Sequence, residues 1–187
     1  MSCRKPRTGV MFIGASLLVV LCLSVLLFSP TASAVNMVTD PKGFQGIPWG
    51  TALVDLPDVT LVESTNRIKQ FDLKQNPPRL GEATVESLRL VSIDGKFARV
   101  IVRYQGMKTH QLVLKFLQLQ FGPLDLTPGQ SASGLYQQFT WFGPESEVNL
   151  TYDGKRDRGL IFLESRALAP KFEEGMAPDP DLAGATY

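Results

Sequence analysis

The residues of this chain that could carry chemistry are a single histidine, His110, and a few paired carboxylates. A histidine can serve as general acid or base, or as a metal ligand, because its charge changes near neutral pH. His110 has neither an H-E-x-x-H partner nor a cysteine set beside it. It falls in the first turn of an expected helix, where a solvent-facing or capping role is expected. Glu145 and Glu147 flank Ser146, Asp153 and Asp157 bracket a basic loop, and Glu173-Glu174 lies near the carboxyl end. Two carboxylates can divide acid and base roles in glycoside hydrolysis when geometry holds them apart. These pairs read as solvated turn residues, and the D-x-x-x-D spacing is not that of a calcium loop. No catalytic residue, cofactor-binding residue or metal ligand is assigned, and no cofactor is expected.

Anion binding has two places to consider. Gly43, Gly46 and Gly50 do not form G-x-G-x-x-G, and the Gly/Ser-rich stretch from Thr127 to Gly134 lacks the lysine of a phosphate-binding loop. Lys155, Arg156 and Arg158 make a small basic loop that suits an anion, a lipid headgroup or an acidic partner, or simply a solvated turn.

The elements that must position these groups begin after a distinctive amino terminus. Arg4, Lys5 and Arg7 precede an apolar run from Val10 to Phe28, followed by Ser29-Pro30 and then Thr31-Ala32-Ser33-Ala34. Positive, apolar and small residues in that order read as a secretory signal over 1–34, with cleavage after Ala34. A retained membrane anchor is the competing reading, since a spanning helix needs about 20 apolar residues. Lipid attachment at Cys22 is disfavoured by Leu21 just before it. Both cysteines, Cys3 and Cys22, lie in this segment, so the remaining chain has no thiol for a disulfide or a metal. Removing three basic residues turns the formal charge of +1 into about −2, so nucleic-acid binding loses its electrostatic support.

The remaining 153 residues (187 − 34) suit one domain. Residues 35–43 read as a leader, 44–169 as a single α+β domain, and 170–187, rich in Pro, Gly, Ala and acids, as a flexible tail. TVESLRLVSI and KFARVIVRY flank Asp94-Gly95, a type I′ hairpin signature. In the second arm Ala98, Val100, Val102 and Tyr104 should share one face, and Phe97, Arg99, Ile101 and Arg103 the other. A helix capped by Thr109 should run to Phe121, with Leu112, Val113, Phe116 and Leu117 as its apolar stripe and Gly122-Pro123 as its stop. LYQQFTWF, SEVNLTY and GLIFLES read as three further strands, the first with a bulge or shifted boundary at Tyr136 and Phe139. VTLVES and RIKQFDL read as another pair, and Thr51 to Asp55 as a short helix before Leu56-Pro57. The fold class is therefore α+β: a mostly antiparallel twisted sheet of at least four or five strands, one main helix on a face, and a short N-terminal helix.

FQGIPWG, residues 44–50, reads as a packing segment. Phe44, Ile47 and Trp49 can enter the core, Gly46 and Gly50 permit unusual dihedrals, and Pro48 stiffens the path. Ligand contact is the alternative, and Trp141 in Trp141-Phe142-Gly143-Pro144 poses the same choice between core and pocket wall. Phe44, Gly46, Ile47, Trp49 and Gly50, together with the LVDL stretch, the hairpin and a helix ending in FGP, resemble a group of small exported bacterial proteins. Their mature domain begins F-x-G-I-x-W-G. The helix and strand order is also similar to small envelope domains such as outer-membrane assembly accessories and β-lactamase inhibitor proteins. Neither resemblance carries over a site residue.

The expectation is a noncatalytic extracytoplasmic binding or envelope-associated domain, exported and periplasmic. Its partner would be a protein or a small apolar ligand near Trp49 and Trp141, with the membrane met only through the signal or an uncleaved anchor. A carboxylate-dependent secreted hydrolase and a membrane-anchored structural partner are the alternatives.

Overall fold

A computed structural model describes residues 35–124 and 135–174, all within the unit Ser33–Tyr187. The expected signal over 1–34, the Thr127 to Gly134 stretch and most of the expected tail lie outside the described residues.

The described chain is an α+β fold. Its strands are β1 (Val35–Asn36), β2 (Gly43–Phe44), β3 (Ile47–Pro48), β4 (Val59–Ser64), β5 (Ile68–Leu73), β6 (Arg79–Leu80), β7 (Ala83–Thr84), β8 (Ser87–Ile93) and β9 (Lys96–Gln105). Helix α1 (Met107–Phe121) follows, then β10 (Tyr136–Phe142), β11 (Ser146–Asp153), β12 (Arg158–Ser165) and the short helix α2 (Pro170–Glu174). Eight strands form one sheet in the order β1-β10-β11-β12-β9-β8-β5-β4, antiparallel throughout except for β1 beside β10. The expected short helix is a single 3-10 turn, Leu53–Asp55.

The topology follows from α1. Leaving β9, the helix carries the chain across the sheet to β10, and the β10–β11–β12 meander then returns to pair β12 with β9. Val113, Leu117 and Phe121 of α1 are buried against the inner sheet face, which supplies Leu90, Val100, Val102, Phe139, Trp141, Val148, Leu150, Tyr152 and Ile161. Leu112 and Phe116 of the expected stripe are only partly buried at its edge. Gly106, at φ 98°, turns the chain out of β9 and is the N-cap, so Thr109 stands inside the first turn and not at the cap. The helix ends at Gly122 as the sequence indicates.

Asp94 and Gly95 both have positive φ, 49° and 78°, as a type I′ turn requires. The faces of the arm after it differ from simple alternation. The register shifts between Val91 and Ser92, pairing Val91 with Arg99 and Ser92 with Phe97, so Ala98 is the extra residue of a bulge. Phe97 therefore joins Val100, Val102 and Tyr104 in the main core, while Ala98 packs with Val91, Ile93, Ile101 and Phe172 on the outer face. In β10 the register to β11 is unbroken: Tyr136 lies on the outer face and Phe139 on the inner, so no bulge is needed there.

Both ends of the domain extend beyond the expected 44–169. Val35 of the expected leader is buried and pairs in register with Trp141. At the other end, Phe172 in α2 is 5% exposed, with the Arg99 guanidinium 4.1 Å above its ring. One aromatic ring on a complementary surface is enough to hold the start of a segment whose composition is otherwise that of a solvated tail.

Candidate functional site

FQGIPWG packs against the edge of the core, with Phe44 buried and Ile47 and Trp49 half-buried. Gly43–Phe44 pairs with Ile47–Pro48 around Gln45-Gly46, whose φ values of 48° and 82° make a two-residue turn. Phe44 is buried, and Trp49 packs tilted on Phe97 with ring centroids 4.8 Å apart. Gly50 N–H donates to the Phe97 carbonyl at 2.8 Å, and Phe97 N–H to Thr51 at 2.9 Å, which splices the segment onto the start of β9. Trp49 Nε1 donates to Ser146 Oγ at 2.9 Å, and Ser146 Oγ donates to Asp40 Oδ1 at 2.6 Å. Asp40 Oδ2 also accepts the N–H groups of Glu145 and Ser146. Burial raises the Asp40 carboxyl pKa, but these hydrogen bonds, that of Ser146 foremost among them, outweigh it and hold the group below its ordinary value. Trp141 is fully buried and gives its indole N–H to the Gly122 carbonyl at 3.0 Å, closing the end of α1. It is no pocket wall.

His110 is also inside, 2% exposed, contrary to the solvent-facing role expected of it. The first turn of α1 sits over the sheet, and its ring stacks 4.1 Å from that of Tyr152 and 6.0 Å from Tyr104. His110 Nε2–H donates to Gln137 Oε1 at 3.0 Å, which leaves Nδ1 to accept the Tyr104 hydroxyl at 2.8 Å. Burial lowers the His110 pKa, so the ring is the neutral tautomer. Burial raises the Tyr104 pKa, and burial together with Asp157, which accepts the Tyr152 hydroxyl, raises that of Tyr152. Gly159 lets β12 pass directly over Tyr104: a Cβ there would lie 1.9 Å from Cζ of the phenol.

The carboxylates do not converge on this histidine. Glu145 and Asp153 stand at opposite ends of β11, roughly 25 Å apart at strand rise. Tyr152 faces inward to His110, so the next residue, Asp153, faces the outer side, where it accepts the backbone N–H groups of Lys155 and Arg156 and pairs with the Arg156 guanidinium at 3.7 Å. Among the described residues no group of three or more His, Cys, Asp or Glu side chains is placed to hold a metal ion.

The outer face carries the polar constellation. Two hollows, of about 370 and 270 Å³, meet at Glu86. The larger is walled by Asp72, Gln75, Asn76, Ser87 and Arg89, and the smaller by Arg103, Tyr136, Thr151, Arg156, Arg158 and Leu160. Cross-strand register makes them neighbours, because Ser87 pairs with Arg103, Arg103 with Leu160, and Leu160 with Thr151. Of the basic loop seen in the sequence, Arg156 and Arg158 reach this surface. Arg103 is the member that sequence reading placed on the right face without connecting it to the loop, since 55 positions separate it from Arg158.

Comparison with family models, with curated proteins and with solved structures finds no match for the chain. The polar groups of the outer face therefore carry the functional reading by themselves.

Proposed function

We propose that this chain is a noncatalytic, exported binding domain, periplasmic in location, whose ligand-contacting surface is the outer face of the sheet. The observation that supports the reading is the pair of adjoining hollows joined at Glu86, lined by guanidinium, amide, hydroxyl and carboxylate groups on strands of a rigid sheet. Binding sites combine concavity with a few convergent polar groups on a fixed scaffold, and the strand residues here stand on six consecutive paired strands, β10-β11-β12-β9-β8-β5. Export is supported by the basic, apolar and small-residue order of 1–34. A noncatalytic role is supported by the placement of His110 and Asp153 on opposite faces of the sheet.

A fragment screen on the isotopically labelled full chain in mild detergent tests this reading by amide chemical shifts. The expected result is a set of fragments whose shifts cluster on Ser87, Arg103, Thr151 and Leu160. Shifts clustered instead at Trp49, or no shifts on the outer face, would overturn it.

A further inference from the structure

The smaller hollow has the chemistry of a site for a small organic anion, an inference that rests on the outer face being the binding surface. Arg103 and Arg158 are diagonal neighbours on β9 and β12, about 7–8 Å apart at the backbone in such a pairing. Both project into the same hollow. Among the described residues no carboxylate lies within 4 Å of either guanidinium, as is also so for Arg79 and Arg166, whereas Arg67, Arg89, Arg99 and Arg156 each have at least one. Two acids also line the hollow, Glu86 and Asp153, the latter directly across from Arg158, so three arginines face two carboxylates and a positive excess remains. Asp153 is engaged by Lys155, Arg156 and its own turn, and Glu86 stands at the boundary with the larger hollow.

The floor between the two guanidiniums is apolar. Leu160 is half-buried directly across from Arg103, Gly159 beside it adds no side chain, and Tyr136 forms the wall. Thr151, paired with Leu160, adds one hydroxyl. Planar guanidiniums bind carboxylate or phosphate oxygens through paired N–H donors, and an aromatic or aliphatic surface beside them accepts a flat apolar body. The volume of about 270 Å³ admits a molecule of one ring and a short acidic arm. We propose that this hollow binds small organic anions in which a carboxylate or phosphate group seats between Arg103 and Arg158 and an apolar body rests on Leu160 and Tyr136.

The test is a titration of the labelled full chain with 3-phenylpropionate, phenyl phosphate, 3-phenylpropanol and inorganic phosphate. The two organic anions should shift the amides of Arg103, Thr151, Arg158 and Leu160. Arg103→Gln and Arg158→Gln should each weaken them roughly tenfold or more, the usual effect of losing a charge-assisted contact. Both arginines are exposed, and unchanged spectral dispersion in the variants verifies that they fold. The neutral alcohol and inorganic phosphate should each bind at least about tenfold more weakly, since each lacks half of the recognition. If the alcohol binds as well as the acid, or phosphate as well as phenyl phosphate, or if neither arginine variant weakens binding, the organic-anion assignment fails while the outer face stands as the binding surface. Absence of any shift on the outer face, from these probes and from the fragment screen alike, overturns both.

Discussion

The Trp49 indole N–H donates to the Ser146 hydroxyl at 2.9 Å, and that hydroxyl in turn donates to Asp40 at 2.6 Å. The relay ties the stretch that holds Asp40 and Trp49 to the start of β11 about a hundred positions later, and Ser146 at its centre is fully buried. Ser146→Ala removes one hydrogen bond from each of two half-buried partners, and Asp40 keeps the N–H groups of Lys42, Glu145 and Ser146, so the cost should be roughly 0.5–1.5 kcal/mol per bond lost. Trp49→Phe keeps the ring on Phe97 and should cost less. Chemical denaturation of both variants and their double mutant should show a coupling of at least about 0.5 kcal/mol. Strict additivity would mean the relay is not a unit.

Gly159→Ala places a methyl group 1.9 Å from Tyr104 Cζ, where the ring is held by its bond to His110 and by two stacked neighbours. Overpacking of this kind costs about 1–3 kcal/mol. The urea midpoint should drop accordingly, and a wild-type midpoint would show that Tyr104 swings aside freely.

Acid should loosen the domain through His110. Its folded pKa lies below the unfolded value near 6.5, so the unfolded chain takes up the proton first. Stability is therefore full above that value and falls as pH drops through it toward the folded pKa, below which this contribution levels off. Tyr104 and Tyr152 face the ring, Gln137 accepts from it, and among the described residues no carboxylate bonds it directly. His110→Gln should flatten that part of the stability–pH curve. An unchanged slope in the variant would assign the effect to other groups.

Phe172 caps the outer-face cluster of Val91, Ile93 and Ala98. Phe172→Ala should lower stability by about 3 kcal/mol, in the range for loss of a buried aromatic. A flexible tail would predict no change, so denaturant midpoints of the variant and wild type separate the two descriptions directly.

Local chemistry was legible wherever it is self-contained. Asp94-Gly95 demanded a hairpin because a type I′ turn needs two positive φ angles, and the Gly122-Pro123 stop ended α1 on schedule. Val148, Leu150 and Tyr152 alternate inward as their spacing requires. The same local reading misassigned Phe97, because nothing in KFARVIVRY marks the extra residue. The bulge exists only where β9 is paired against β8, which lets Phe97 drop beneath Trp49.

From the sequence alone came the α+β class, the main helix, the hairpins and the choice of core over pocket for FQGIPWG, since residue periodicity and turn chemistry act over a few positions. Only the tertiary structure decided that Val35 and Phe172 belong to the packed domain, that His110 is buried, and that Arg103 and Arg158 share one hollow. Periodicity tells a strand which face is apolar and leaves its neighbour unspecified. Here the neighbour is chosen when α1 crosses the sheet and the returning meander lays β12 against β9.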